Sequence, residues 1–150
     1  KTVVLKLEVL SPSWTGFLRQ TLTDLYHACP EETSYRKLLL SFQETFPEWQ
    51  VQKEQLLVYW LYTYFCGAVY DERIFAKGKM AVLCTLFIEE LVLGLFVERQ
   101  ETLAFEDLVS VSYRFSRELE HSDQNLNTLE ELLEHEEVFS LEHLLTLCEI

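Results

Sequence analysis

Two stretches decide the fold: Gln55–Tyr70, QLLVYWLYTYFCGAVY, and Met80–Val97, MAVLCTLFIEELVLGLFV. In the first, Leu56, Tyr59 and Trp60 lie on one helical face and Leu57, Leu61, Tyr64 and Phe65 on another. A helix apolar nearly all round packs on several sides. Neither stretch suits a bilayer. The first falls short of the roughly 20 apolar residues that a crossing needs and is rich in Tyr; the second carries Glu89 and Glu90 at its middle, where each is costly in hydrocarbon. Both are read as buried central helices, over Gln52–Tyr70 and Met80–Glu98, with Trp60 and Phe65 in the core. Adjacent residues on a helix point about 100° apart, so of Glu89 and Glu90 one should face solvent and the other meet an Arg, Lys or Tyr.

Outward from this pair the pattern stays helical. Ser11-Pro12 supplies a cap and a first-turn proline for a helix carrying Phe17, Leu18, Leu22, Leu25 and Tyr26, which ends near Cys29-Pro30. Tyr35, Leu38, Leu39 and Phe42 mark a second, stopped by Phe46-Pro47. Asp71–Lys79 reads as a polar bend, with Gly67 before it allowing a kink or a close approach. Thr102 followed by Glu106 and Asp107 opens a fifth helix with the stripe Phe105, Leu108, Val109, Ser112, Ser116 and Leu119. Ser122 and Ser140 cap a sixth and a short seventh. Lys1–Leu10 fits a short strand or a helix tail equally. The expected fold is all-α: one domain over residues 1–150, a bundle of six or seven helices around the two buried central ones.

Composition narrows the function. A chain of 150 residues that is 49% hydrophobic builds one sizeable core. Its net charge of −13, from 25 acidic and 12 basic side chains, repels phosphate backbones, so nucleic acid is not an expected partner, and neither is a membrane. Such acidity could suit a lysine-rich partner, but a solvated surface that keeps the protein soluble is the plainer account of the same charge. The cysteines Cys29, Cys66, Cys84 and Cys148 are scattered, without a Cys-x-x-Cys pair, which fits a reducing, cytoplasmic setting and supplies no metal cluster. Cys66 and Cys84 sit in apolar runs and read as small buried hydrophobes. The start at Lys1, without Met or leader, is read as the edge of a piece of a longer protein.

The densest polar constellation closes the fifth helix. Tyr113, Ser116, Arg117, Glu120 and His121 recur at helical spacing, gathering a phenol, a hydroxyl, a guanidinium, a carboxylate and an imidazole. They are expected to form a network against the third or fourth helix, since Ser112 and Ser116 let a neighbour come close. On that reading Arg117→Ala costs about 2–4 kcal/mol. The plainer alternative is an Arg117–Glu120 salt bridge with His121 closing the helix C-terminus. Glu118-x-x-His121 also has the carboxylate-imidazole spacing of di-iron bundles, with Asp24-x-x-His27 as a degenerate second copy and Glu89 or Glu90 as further ligands. One such spacing arises easily in an acidic helical chain, and no metal site is assigned. His135 and His143 carry no better case. Arg73, Lys77 and Lys79 are too few for a phosphate site.

Phe115-Ser116-Arg117-x-x-Glu120-His121 resembles the Phe-Ser-Arg-x-x-Glu-His signature near the C-terminus of flagellin lysine-N-methylase-like proteins. Glu54-Gln55-Leu56-Leu57-Val58-Tyr59-Trp60 is similar to that family's Glu-Asn-Tyr-Leu-Val-Asn-Tyr segment, departing at Gln55, Leu56, Tyr59 and Trp60. The similarity runs from about Gln52 to Asn125. It implies the C-terminal helical region of a protein that methylates flagellin or another protein on lysine with S-adenosylmethionine. The family's N-terminal cysteine cluster, expected to hold iron and sulfur, has no counterpart here, so the resemblance implies a fragment without a catalytic centre. It would support the catalytic part or help bind substrate. The alternative is a helical interaction or dimerisation module without catalysis, forming a homo-oligomer.

Overall fold

The computed structural model describes residues 6–148. Seven helices follow in order: α1 Pro12–Ala28, α2 Glu32–Thr45, α3 Trp49–Tyr64, α4 Ile74–Glu98, α5 Phe105–Glu120, α6 Asp123–His135 and α7 Leu141–Cys148. A 3-10 turn at Phe65–Gly67 and a helical turn at Ala68–Asp71 join α3 to α4, and a second 3-10 turn, Glu137–Phe139, joins α6 to α7. No strand occurs among the described residues. The all-α bundle agrees with the sequence pattern. Residues 1–5 lie outside the described residues; 6–10 form neither strand nor helix.

Helix α4 is the axis, and α1, α3, α5 and α6 all pack against it. Met80, Cys84, Ile88, Leu91, Val92 and Phe96 are buried along its length. Burying each such aliphatic or aromatic side chain is worth about 1.5–3 kcal/mol. The approach of α1 is set by one missing side chain: a Cβ on Gly94 would stand 2.5 Å from the Thr21 carbonyl oxygen. The two backbones therefore touch, a contact that any larger residue forbids. Thr21 is wholly buried there, and its hydroxyl has no partner among the described residues.

Two polar assemblies fix the remaining pieces. Lys77 is buried between Glu130 of α6, at 2.7 Å, and Asp71, at 2.8 Å, while Arg73 reaches Glu130 and Glu134. Lys79 donates to the Leu133 carbonyl. The basic residues of the supposed bend thus tie α4 to α6. The second assembly holds the entering chain. The Asn125 amide accepts the Glu8 N–H at 2.8 Å and donates to the Glu8 carbonyl, pairing with it as a strand would. The Leu10 N–H donates to Glu118, the Ser122 hydroxyl to Glu8, and Lys6 pairs with Glu136.

Several local expectations are corrected. Helix α3 begins at Trp49 and stops at Tyr64, and α4 starts at Ile74 instead of Met80, because Arg73 and Lys77 find carboxylates and need no exposed loop. The stem of Lys77 lies against Gly67, where a Cβ would come within 3.3 Å, so glycine serves a close approach at the point where the chain bends. Of α3 only Trp49 and Trp60 are buried; Phe65 and Cys66 are exposed, not core. Helix α5 begins at Phe105, with the Asp107 carboxylate accepting the Ala104 N–H; Thr102 instead donates to Arg99. Ser11 occupies the cap position of α1 but makes no side-chain cap bond, whereas Ser122 and Ser140 do cap their helices. Both central glutamates find partners: Glu89 takes the Trp49 indole and Lys53, Glu90 takes Tyr26 and Tyr35. By length and composition α4 could cross a membrane, but 67% of its apolar window is buried inside the bundle.

Gly94→Ala should destabilise by at least about 1–3 kcal/mol, because the clash is with backbone that cannot yield. Thr21→Val, which keeps the shape and removes a hydroxyl without an acceptor, should instead stabilise by about 1 kcal/mol. Denaturant unfolding of the two variants measures both signs.

Candidate functional site

Helices α3 and α5 do not close on one another. They flank a groove of about 430 Å³ whose floor is Trp49, Trp60, Ile88 and Leu108. Gln52, Gln55, Leu56 and Tyr59 form one wall; Phe105, Val109, Ser112, Tyr113 and Ser116 form the other. The groove exists because α5 is rotated from the expected stripe. Leu108, Val111, Phe115 and Leu119 face the core, and Glu118 turns inward to the Leu10 N–H. Phe105, Val109, Ser112 and Ser116 are left along the opening. The small serines thus widen a groove instead of admitting a helix.

One turn beyond Ser116, Glu120 is bonded to a residue of each groove wall, Tyr59 and Ser116. Its Oε2 accepts hydrogen bonds from Tyr59 and Tyr64, each at 2.7 Å, and its Oε1 accepts from Ser116. Among the described residues no cation pairs with this carboxylate. Tyr64 stacks on Trp60, so the clamp is anchored in the core. Burial first, then the bond to Glu120, pushes the Tyr59 phenol up to about 12. The same two causes, in the same order, raise Tyr64. Burial raises the Cys84 thiol, with the Glu120 charge adding to it, so that carboxylate is felt inside the bundle. A similar clamp holds Glu90 with Tyr26 and Tyr35 on the far side of α4, at 2.8 and 2.6 Å.

Of the five residues singled out in the sequence, the structure joins Ser116 and Glu120 by a hydrogen bond and sets Tyr113, exposed, on the groove rim. Arg117 and His121 are exposed, and neither bonds to Glu120; His121 is the residue that ends α5. The expected Arg117 network and the alternative Arg117–Glu120 salt bridge are both absent among the described residues, because the tyrosines of α3 reach the carboxylate first. Tyr59 and Tyr64 are the partners the sequence reading missed. Their signal was present: a phenol within an otherwise apolar helix needs somewhere to place its O–H. Glu118 and His121 share no ligand position, since Glu118 faces the entering chain. No group of three or more His, Cys, Asp or Glu side chains placed to hold a metal occurs among the described residues.

The model of the FliB lysine N-methylase C-terminal domain family matches residues 1–147. The chain belongs to this family. No curated protein and no solved structure matches it. The match extends the resemblance seen around the two motifs to nearly the whole chain, so the groove and the Glu120 clamp are features of a lysine N-methylase C-terminal domain. Of the cysteines whose side chains are described, Cys29, just after α1, and Cys84, in α4, are buried, and Cys66 is exposed.

Because Tyr59 ionises higher in the folded chain than its ordinary 10, its contribution to stability is intact below pH 10 and is lost as the pH rises through about 12. Glu120→Gln should lower that titration without returning it to 10, since burial remains; tyrosinate absorbance against pH reads the change. Arg117→Ala, at an exposed site, should cost less than about 1 kcal/mol, as denaturant unfolding will show.

Proposed function

We propose that this chain is the substrate-holding, non-catalytic part of a protein lysine N-methylase, and that the groove between α3 and α5 receives a lysine-bearing segment of the protein to be methylated. The single observation that carries this reading is the Glu120 carboxylate: half-buried, held by three hydroxyls and paired with no cation among the described residues. A carboxylate has about four acceptor sites, so one stays open after the three hydroxyls are satisfied. A lysine ammonium there would also lie beside the rings of Tyr59 and Tyr64, whose faces attract cations. Leu56, Trp60 and Val109 would cover its aliphatic stem, as long amphipathic side chains prefer. The net charge of −13 would draw a basic segment towards the domain. In this reading S-adenosylmethionine and any iron–sulfur cluster belong to chain N-terminal to the domain, and flagellin is the substrate that the family resemblance suggests.

A peptide with one lysine, titrated against the protein while Trp fluorescence is followed, tests this. The lysine peptide should bind and its norleucine counterpart should not. Glu120→Gln should weaken binding about tenfold, or about 1.4 kcal/mol. Equal binding of the two peptides sinks the reading.

A further inference from the structure

The buried side of α5 carries one residue that an apolar stripe does not call for. Phe115, Glu118 and Leu119 turn inward together, and Glu118 is only 6% exposed. Burying a carboxylate is costly unless its acceptor sites are filled. Oε2 of Glu118 accepts the Leu10 N–H at 2.9 Å. Its Oε1 has no donor, and neither oxygen has a cation, among the described residues.

Glu118 borders a cavity of about 260 Å³. Trp14 and Leu18 of α1, Leu83 and Phe87 of α4, Phe115 of α5 and Leu129 of α6 supply its apolar wall, and the entering chain lies across it at residues 7–9. A second carboxylate, that of Glu8, also borders it and has only the Ser122 hydroxyl as donor among the described residues. The two acidic residues are drawn together, since the Asn125 amide donates to the backbone carbonyls of both. An apolar cavity of about 150 Å³ takes benzene, so this one has room for a ring with a short chain. It shares no lining residue with the groove between α3 and α5.

We propose that this cavity binds a small primary amine with an apolar body, its ring or alkyl part among the apolar side chains of α1, α4 and α5 and its ammonium at the Glu118 carboxylate. The polar groups select this chemistry. A hydrocarbon fills the space but leaves Oε1 of Glu118 unpaired, at a cost. An anion meets two carboxylates, Glu8 and Glu118, where little water screens them. An ammonium brings both the missing donor and the missing charge. The entering chain lies over the cavity, so the occupant is a free small molecule that fits beneath it, not a side chain of a docked protein.

Titrating the protein at neutral pH with 2-phenylethylamine, propylbenzene and 3-phenylpropionate, followed by nuclear magnetic resonance, tests the proposal. The amine should bind at least about tenfold tighter than the hydrocarbon, and the acid should not bind. Nuclear Overhauser contacts from the bound ring should reach the Trp14 indole and the methyls of Leu18 and Leu129. Glu118→Gln keeps an acceptor for the Leu10 N–H and removes the charge. It should weaken the amine about tenfold and leave propylbenzene as before, which also reports that the variant is folded. If that variant does not fold, the comparison of the three ligands on the unaltered protein still decides. Equal binding of amine and hydrocarbon overturns the proposal, as does the absence of binding, which leaves the cavity a packing defect. Contacts to Leu56 and Tyr59 instead of Trp14 also overturn it, because they put the amine in the groove; the groove reading and this one therefore fail separately.

Discussion

The contact between the backbones of α1 and α4 at Thr21 and Gly94 is the constraint on which the other positions depend. Helices ordinarily pack with axes about 8–10 Å apart because side chains intervene. Removing one Cβ lets α1 sink against α4, and the residues flanking the contact, Leu18 and Leu25, then lie buried. With α1 so low, its start at Trp14 and Phe17 comes within aromatic contact of Phe115 and Arg114 of α5. Core packing at one glycine is thereby passed to the rotation of the helix that forms a wall of the groove.

Charge is distributed to match this construction. Every acidic side chain sunk into the bundle has a donor: Glu89 the Trp49 indole and Lys53, Glu118 a backbone N–H, Glu130 Lys77. Burying a carboxylate without a partner would cost several kcal/mol, so each of these bonds is a condition of the fold. Glu90 and Glu120 differ, because their donors are neutral hydroxyls, two phenols each and for Glu120 also Ser116. Phenols satisfy lone pairs without cancelling charge, and the negative potential remains for something outside the domain to use.

Helix existence and helix ends were legible wherever the signal is local. Pro12, Cys29-Pro30, Phe46-Pro47, Ser122 and Ser140 all mark boundaries found in the structure, because proline geometry and short side-chain caps act over a few residues. Facing was not legible to the same degree. Helix α3 is apolar on all sides in sequence, and nothing local tells which side meets α4 and which is left bare. Arg73 and Lys77 looked like a solvated bend because their carboxylates, Glu130 and Glu134, come from some 50 residues further along. At the candidate site, Ser116 and Glu120 lay on a periodic stripe and were found. Tyr59 and Tyr64 were not, since their partner belongs to another helix.

Glu118 and Glu120 stand two residues apart on α5, nearly opposite one another around its axis. The first is bound to the incoming chain at Leu10, the second to α3 through Tyr59 and Tyr64. Helix α5 is thus guyed from both sides, like a mast between two stays. It cannot roll about its axis without slackening one stay and stretching the other. The seating of the entering chain and the wall of the groove are thus held by one helix, whose rotation is fixed by bonds on both of its sides.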